Sequence, residues 1–252
     1  MILRRLGNKS KIAKEIQAYF PPHKIYVEPF FGAGGMFFNK PKVKHNIVND
    51  IDSDVFNLFQ VVSNQKEKIR KEYYKMPIHL DLLNYWKENK ETEPIKKALR
   101  FLFLSNLTLM GLGGNIILNR RTPKQTFYDK LDKTFDLIHD VQFFNASFDK
   151  FLNSISIDRE EENIFIYSDP PYLSTSNNYS NSFKENDLKE LIKVLIETGC
   201  KFAISEFNNP VVLALAKDYE LEVITIGERR NLGNKRTEIL IINYDSPQLT
   251  LF

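Results

Sequence analysis

Short apolar segments that alternate with helical patterns constrain the fold of this chain more than any other feature. Turn residues bound each segment, and the sequence between segments repeats apolar side chains at helical spacing. This alternation is typical of an α/β fold with a mainly parallel sheet, because parallel strands need a crossover between them. About seven strands are expected, at residues 25–27, 47–48, 141–144, 164–167, 202–204, 223–226 and 238–243.

The last two of these segments are joined differently from the others. About ten residues separate them, which is too short for a helical crossover. We therefore expect an antiparallel hairpin at the edge of the sheet.

One interval is far too long for a simple crossover. Roughly 90 residues lie between the second and third segments, and their apolar spacing is mostly helical. We interpret residues 54–139 as a helical insertion in an α/β domain formed by residues 1–53 and 140–252.

Composition excludes several classes of protein. The single cysteine, Cys200, rules out an intramolecular disulfide or a thiolate metal cluster, and the presence of only four His argues against a zinc enzyme. No apolar run reaches the roughly 20 residues that span a bilayer, and the first residues lack the apolar stretch of a signal peptide. We expect a protein of the reducing cytoplasm that binds neither a metal nor a membrane.

The net charge is too small for nucleic-acid binding by charge alone. Lys and Arg number 35 against 32 Asp and Glu, which gives +3. Any contact with nucleic acid must therefore be local. Two basic stretches are candidates, although solvated loops would explain them equally well: Arg120, Arg121 and Lys124, and then Arg229, Arg230, Lys235 and Arg236.

A glycine-bearing turn follows the first strand. Gly32 and Gly34 come shortly after Glu28, and Asp50 ends the next strand at close to the usual spacing of about 20 residues. Glycine lets the backbone approach a ligand, and an acidic side chain at this point can bind a ribose diol. A tight turn with a capping Asp is an equally valid interpretation.

The segment Asp169-Pro170-Pro171-Tyr172 after the fourth strand is more specific. Two prolines stiffen the strand exit and remove N–H donors, so the carbonyl oxygens remain available to a ligand. The Asp169 carboxylate and the Pro170 carbonyl could accept both hydrogens of an exocyclic amine, while Tyr172 stacks on its ring. Such an amine is a poor nucleophile until two acceptors localise its lone pair.

These motifs, in this order, resemble the Dam-type DNA adenine N6-methyltransferases. The family's first element is matched by the segment from Arg5 to Lys9, although Asn8 stands where a second Gly is usual. The segment Glu28 to Gly34 matches its glycine motif, Asp50 its ribose-binding Asp, and Asp169 to Tyr172 its catalytic motif.

The resemblance implies a fold, a cofactor and a set of site residues. The fold would be the family's seven-stranded Rossmann-like methyltransferase sheet with a helical target-recognition insertion. The cofactor would be S-adenosylmethionine, and the substrate an adenine flipped out of DNA. The catalytic residues implied are Asp169, Pro170, Pro171 and Tyr172. The implied cofactor-binding residues are Arg5, Lys9, Glu28, Phe30, Gly32, Gly34, Asp50, Ser147, Phe148 and Asp169.

Other functions stay open at this point. A DNA-binding homologue with weak catalysis would keep the same fold, and protein glutamine methyltransferases also act on a conjugated amine. The latter resemble Asn-Pro-Pro-Tyr at the catalytic motif, and cytosine N4 enzymes usually carry Ser in place of Asp169.

The C-terminal residues Gln248 to Phe252 suggest a partner besides DNA. They resemble the short peptide by which bacterial DNA enzymes engage the replication sliding clamp, although docking onto the chain's own core is an equally good interpretation. We also expect a monomer, and a cognate restriction endonuclease is a further candidate partner.

Overall fold

One mixed sheet organises the described part of the chain. The computed structural model describes residues 1–5, 7–111, 113–117, 123–155, 163–173, 183–231 and 234–246. In these residues seven strands form a single sheet of order β3-β2-β1-β4-β5-β7-β6. The strands are β1 Ile25–Glu28, β2 His45–Asn49, β3 Gln142–Phe144, β4 Ile164–Ser168, β5 Lys201–Phe207, β6 Glu222–Asn231 and β7 Asn234–Ile242.

The strand directions confirm the predicted fold class. Strands β1 to β5 pair in parallel, whereas β7 is antiparallel to both β5 and β6. The hairpin of β6 and β7 therefore closes one edge of the sheet, as its short connection predicts.

Nine α-helices occur in the described residues, and their caps follow from the local sequence. The Asp52 side chain accepts the Asp54 N–H at the start of the second helix, and Asn209 caps the last helix in the same way. The helices are α1 Ala13–Gln17, α2 Ser53–Asn64, α3 Lys66–Lys75, α4 Leu80–Glu88, α5 Pro94–Leu107, α6 Pro123–Ile138, α7 Phe148–Ser154, α8 Glu185–Glu197 and α9 Pro210–Asp218. In this part of the chain no helix is both long and apolar enough to cross a membrane.

The two faces of the sheet bury separate apolar layers. Along β4, Phe165 and Tyr167 pack into the layer of α2 and α5, whereas Ile164 and Ile166 pack into the layer of α8. This alternation follows from the two-residue period of a strand. Burial on both faces explains why the strand is apolar at nearly every position.

The helices between β2 and β3 share a core with the sheet. Phe59 of α2 stacks on Phe143 of β3, with ring centroids 5.8 Å apart. It also meets Phe31 edge-on at 4.9 Å. The assignment of residues 54–139 to a separate unit stays a prediction, and α2 at least packs directly against the sheet.

The start of the chain differs from the expected pattern. The apolar spacing from Ile12 to Tyr19 predicts a helix that is capped by Ser10. Instead a 3-10 turn covers Lys9–Lys11, and the Asn8 side chain accepts the Ser10 N–H at 2.8 Å. Asn8 therefore caps this turn, because its side chain reaches the N–H two residues ahead. Ser10 lies inside the turn, and the N-cap of α1 is Ile12.

Replacing Phe59 with Ala tests whether α2 belongs to the sheet's core. We expect the free energy of unfolding to fall by about 3–5 kcal/mol, because the substitution empties a buried aromatic site. Denaturant unfolding measures this change. Tyr85→Ala on α4, where the side chain is exposed, should change it by less than about 0.5 kcal/mol. If both variants lost the same small amount of unfolding free energy, α2 would not be packed into the core of the sheet.

Candidate active site

The carboxyl ends of β1 and β4 form the centre of the candidate site. These strands are neighbours, yet the chain proceeds from β1 to β2 on one side and from β4 to β5 on the other. Such a switch point opens a crevice at the carboxyl edge of an α/β sheet, where ligands bind. Glu28 ends β1 and Asp169 directly follows β4, so the two sequence motifs meet there.

The turn after β1 requires glycine and leaves room for a ligand. Gly32 and Gly34 have φ values of 56° and 71°, a region that favours glycine. A Cβ on Gly34 would lie 2.5 Å from the Phe38 ring, whereas a Cβ on Gly32 would meet nothing within 4 Å. The turn is therefore packed on the protein side at Gly34 and open at Gly32.

The Asp50 side chain stabilises this turn by accepting hydrogen bonds from backbone N–H groups. Its Oδ2 accepts the Gly32 N–H at 2.6 Å, and its Oδ1 accepts the Asp52 N–H at 2.8 Å. Burial raises the pKa of Asp50, while the charge of Arg5 opposes the rise. Arg5 itself pairs with Asp52 at 2.9 Å. Asp50 and Arg5 thus lie together at the crevice, as the motifs suggest, with Asp50 shaping the glycine turn.

Asn49 is a structural residue of the site that sequence reasoning missed. Its buried amide donates to the carbonyl oxygens of Pro29 and Ala146, both at 3.0 Å, and its Oδ1 accepts the Ala146 N–H at 3.0 Å. The loops after β1 and β3 are therefore tied to the end of β2. The sequence feature that could have indicated this role of Asn49 is a polar residue at the end of an apolar strand.

Three phenylalanines line the crevice beside the glycine turn. Phe30 lies 5.6 Å from Phe148 and 6.1 Å from Phe183, measured between ring centroids. Phe30 and Phe148 were predicted, and Ser147 is the N-cap of α7 next to them. Phe183 was missed, because nothing in its sequence neighbourhood points to the first strand. All three rings are partly buried, so a planar ligand ring could pack against them.

Lys9 anchors the catalytic motif. Its Nζ lies 2.6 Å from Asp169 Oδ1 and 3.8 Å from Glu238 Oε1, and 4.4 Å from the centre of the Tyr172 ring. The Lys9 side chain is only 3% exposed. A buried ammonium is stable only beside compensating charge, so Lys9 fixes the position of Asp169.

Two further buried glutamates support the motif from β5 and β7. The Tyr172 hydroxyl donates to Glu238 Oε1. Glu206 accepts the Leu173 N–H at 3.3 Å and the Phe207 N–H at 2.9 Å. Neither glutamate was predicted, although Glu206 is the lone acid of a mainly apolar strand and Glu238 directly precedes four apolar residues of β7.

Burial changes the protonation of two carboxyl groups here. Burial raises the pKa of Glu206 to about 8, with the charges of Asp169 and Glu238 adding to the rise against its two N–H donors. Burial also raises the pKa of Glu28 well above its usual range, although the Tyr26 hydroxyl donates to it. With a pKa of about 8, Glu206 therefore carries a proton at neutral pH. Asp169 is 19% exposed, whereas Glu28, Glu206 and Glu238 are buried, so Asp169 is the member of this group that faces the crevice.

The basic candidates fall into two groups. Arg120 and Arg121 lie outside the described residues, while Lys124 donates to the Tyr74 carbonyl oxygen at 2.7 Å. The other four positions pair across the hairpin, Arg229 with Arg236 and Arg230 with Lys235.

The hairpin carries its basic positions to the edge where the crevice opens. The last pair between β5 and β7 joins Phe207 to Glu238, so the hairpin extends beyond the carboxyl end of β5. Arg236 lies over the Phe207 ring at 5.3 Å, and Lys235 pairs with Glu228 at 3.0 Å.

The raised pKa of Glu206 predicts a pH-dependent stability. A carboxyl group with a raised folded pKa stabilises the fold fully below pH 4.5, and this contribution is lost as the pH rises to about 8. Between pH 5 and 8 the wild type should therefore lose up to about 4 kcal/mol of unfolding free energy relative to Glu206→Gln.

Urea unfolding at several pH values measures this difference. For Glu222→Gln, at an exposed position of β6, the plot of unfolding free energy against pH should run parallel to that of the wild type. Parallel curves for wild type and Glu206→Gln would show that Glu206 ionises normally.

Comparison with known proteins agrees with this site. The model of a family described as D12 class N6 adenine-specific DNA methyltransferase matches residues 6–232. A type II methyltransferase of Lactococcus lactis subsp. cremoris, M1.LlaDCHI, is 24% identical and covers 94% of this chain and 93% of its own length. The DNA adenine methylase of Vibrio cholerae is 24% identical over 95% of this chain and 94% of its own. That of Escherichia coli is 25% identical over 92% and 88%.

These matches confirm the resemblance inferred from the motifs and favour neither the glutamine nor the non-catalytic alternative. The family match spans the glycine turn, Asp50, the catalytic motif and strand β6 of the hairpin. The chain therefore belongs to the D12 class of N6 adenine-specific DNA methyltransferases.

Proposed function

We propose that this DNA adenine methyltransferase holds the target 6-amino group between the Asp169 carboxylate and the Pro170 carbonyl oxygen. One observation carries the proposal: Lys9 fixes Asp169 Oδ1 at 2.6 Å while the carboxylate stays partly exposed to the crevice. Among the described residues Asp169 Oδ2 has no partner, so this oxygen is available to a hydrogen of the amine. The other three carboxyl groups nearby are buried, so Asp169 is the carboxyl group of this cluster that is placed to meet the amine.

The crevice fits S-adenosylmethionine, the methyl donor of this enzyme. The space beside Gly32 admits a ligand, and Ser168 Oγ is a buried hydroxyl that has no hydrogen-bond partner among the described residues. When bound, the donor supplies an electrophilic methyl group. We propose that its binding residues are those implied by the resemblance: Arg5, Lys9, Glu28, Phe30, Gly32, Gly34, Asp50, Ser147, Phe148 and Asp169.

The residues of the catalytic motif would act on the adenine amine directly. Two acceptors pull the amine toward tetrahedral geometry, which localises the lone pair for attack. Pro170 and Pro171 keep the backbone rigid, so the acceptors are in position before the base arrives. Tyr172 would stack on the base with the ring face away from Lys9. Lys9 keeps Asp169 from rotating to follow the amine.

Asp169→Asn tests this assignment. The amide keeps the volume of the carboxylate but loses its charge, so the rate of methyl transfer in a single turnover should fall by about 100- to 1,000-fold. DNA affinity, measured by fluorescence anisotropy, should stay within about threefold because the interaction strengthens in the transition state.

The variant Glu222→Gln serves as the matched control and should keep the wild-type rate. Near-wild-type turnover by Asp169→Asn would remove Asp169 from the chemistry. A large loss of DNA affinity would instead assign it to binding.

We propose that DNA contacts the basic end of the hairpin and residues 120–124, which include the start of α6. The hairpin positions lie beyond the carboxyl end of β5, on the side where the crevice opens. Cations there would meet the phosphates on either side of a flipped base. The proposed contacts are Arg120, Arg121, Lys124, Arg229, Arg230, Lys235 and Arg236.

The salt dependence of DNA binding tests the hairpin. Replacing Arg229 and Arg230 with Gln should lower the slope of log K against log salt by about two, roughly one for each phosphate contact. The matched pair Lys193→Gln and Lys217→Gln removes the same charge from exposed positions of α8 and α9, and should leave the slope unchanged. The same slope for both double variants would place the DNA elsewhere.

Several finer assignments are also proposals. We propose that residues 54–139 read the target sequence and that residues 1–53 and 140–252 carry catalysis. Residues Gln248 to Phe252, which lie outside the described part of the chain, would engage a sliding clamp and keep a monomeric enzyme near new DNA. We also propose that the enzyme acts in the cytoplasm and that a cognate restriction endonuclease accompanies it.

A further inference from the structure

We propose that Glu238 is a positioning residue for methyl transfer, acting through Tyr172 and Lys9 rather than by touching substrate. This inference rests on the proposed roles of Asp169 and Tyr172. Its basis is a buried cluster at the end of β7: the Tyr172 hydroxyl donates to Glu238 Oε1, and Lys9 Nζ lies 3.8 Å from the same oxygen.

A buried glutamate at position 238 lowers the stability of the fold, but it can position the residues of an active site. Its side chain is fully buried on β7 and faces the same layer as Leu240 and Ile242. Burying a carboxyl group is unfavourable, and apolar residues of similar volume often serve stability as well or better. A third apolar residue at position 238 would stabilise the fold as well as a glutamate does. We therefore attribute the presence of a glutamate to its contacts with Tyr172 and Lys9.

The first of these groups is the Tyr172 ring. Lys9 covers one face of the ring at 4.4 Å, and the Phe207 ring meets it edge-on at 4.6 Å. The hydroxyl bond to Glu238 fixes the far end of the side chain. With both ends held, the ring has one orientation in which to receive the adenine, and an error of about 1 Å in such positioning can cost about 100-fold in rate.

The second group is the Lys9 ammonium. Its Nζ lies 2.6 Å from Asp169 Oδ1 and 3.8 Å from Glu238 Oε1. Glu238 therefore shares the ammonium with Asp169, which leaves Asp169 more acceptor strength toward the amine and holds Lys9 by two acidic side chains.

A set of four variants separates positioning from simple structural support. Glu238→Gln keeps the volume and an acceptor but removes the charge, and Tyr172→Phe removes only the hydroxyl. Glu238→Leu combined with Tyr172→Phe replaces the whole contact by apolar groups and leaves no unsatisfied hydroxyl. Glu222→Gln is the matched control, an exposed glutamate on the adjacent strand of the same hairpin.

The expected result is a loss of rate without a loss of fold. Each single variant and the double variant should show kcat reduced by about 10- to 100-fold, with KM for DNA within about twofold of wild type. The double variant should unfold at the wild-type denaturant midpoint or above it. Glu222→Gln should match the wild type in every respect.

Titration of Tyr172 by NMR, with labelled tyrosine, gives a readout independent of methyl transfer. Burial raises the pKa of Tyr172, and the charges of Asp169 and Glu238 raise it further. Glu238→Gln should therefore lower the pH at which Tyr172 ionises. If the wild type failed to methylate adenine, the proposed function would be wrong while this titration still reported on Glu238.

Two outcomes would overturn the inference. One is a stable Glu238→Leu/Tyr172→Phe variant with kcat within about twofold of wild type. The other is a Glu238→Gln variant in which the rate falls only as far as the folded fraction falls, with no change in the Tyr172 titration.

Discussion

A buried lysine ammonium must lie beside carboxylates, and this requirement joins two distant parts of the chain. Lys9 and Asp169 are 160 residues apart in sequence and 2.6 Å apart in space. Their ion pair holds the N-terminal 3-10 turn against the end of β4. The same turn packs closely on the glycine segment, where a Cβ on Gly35 would lie 2.3 Å from Asn8 Oδ1. The donor-binding turn and the catalytic motif are thus fixed by one polar contact at the edge of the sheet.

The loops around this contact are held by side chains that accept backbone N–H groups. Asp50 accepts the N–H of the turn at Gly32, and Asn49 accepts an N–H of the loop after β3. Glu206 accepts the N–H of the residue after the catalytic motif. Loops at the end of a sheet are otherwise its most mobile part. Asn49 and Glu206 are buried and Asp50 is partly buried, so the site is organised before DNA and the methyl donor arrive, as catalysis by oriented dipoles requires.

Local motifs in the sequence predicted the catalytic segment, the glycine turn and Asp50, because each places its chemistry within a few residues of a strand end. Glu238 could not be predicted in this way. Its role depends on the antiparallel register that sets it opposite Phe207, and on a tyrosine 66 residues away. The Ser10 cap was wrong because Ser10 lies inside the 3-10 turn, where its hydroxyl donates to Asn8 Oδ1. Long-range pairing and the local use of a hydroxyl are not encoded in spacing alone.

The central claim is that Asp169, held by Lys9, accepts the amine of adenine. Mass spectrometry of nucleosides from unmethylated DNA, treated with the protein and S-adenosylmethionine, tests it most directly. The account predicts N6-methyladenine with the wild type and almost none with Lys9→Met, which keeps the length of the side chain and removes the charge. N4-methylcytosine as the product, or equal N6-methyladenine from both proteins, would contradict it.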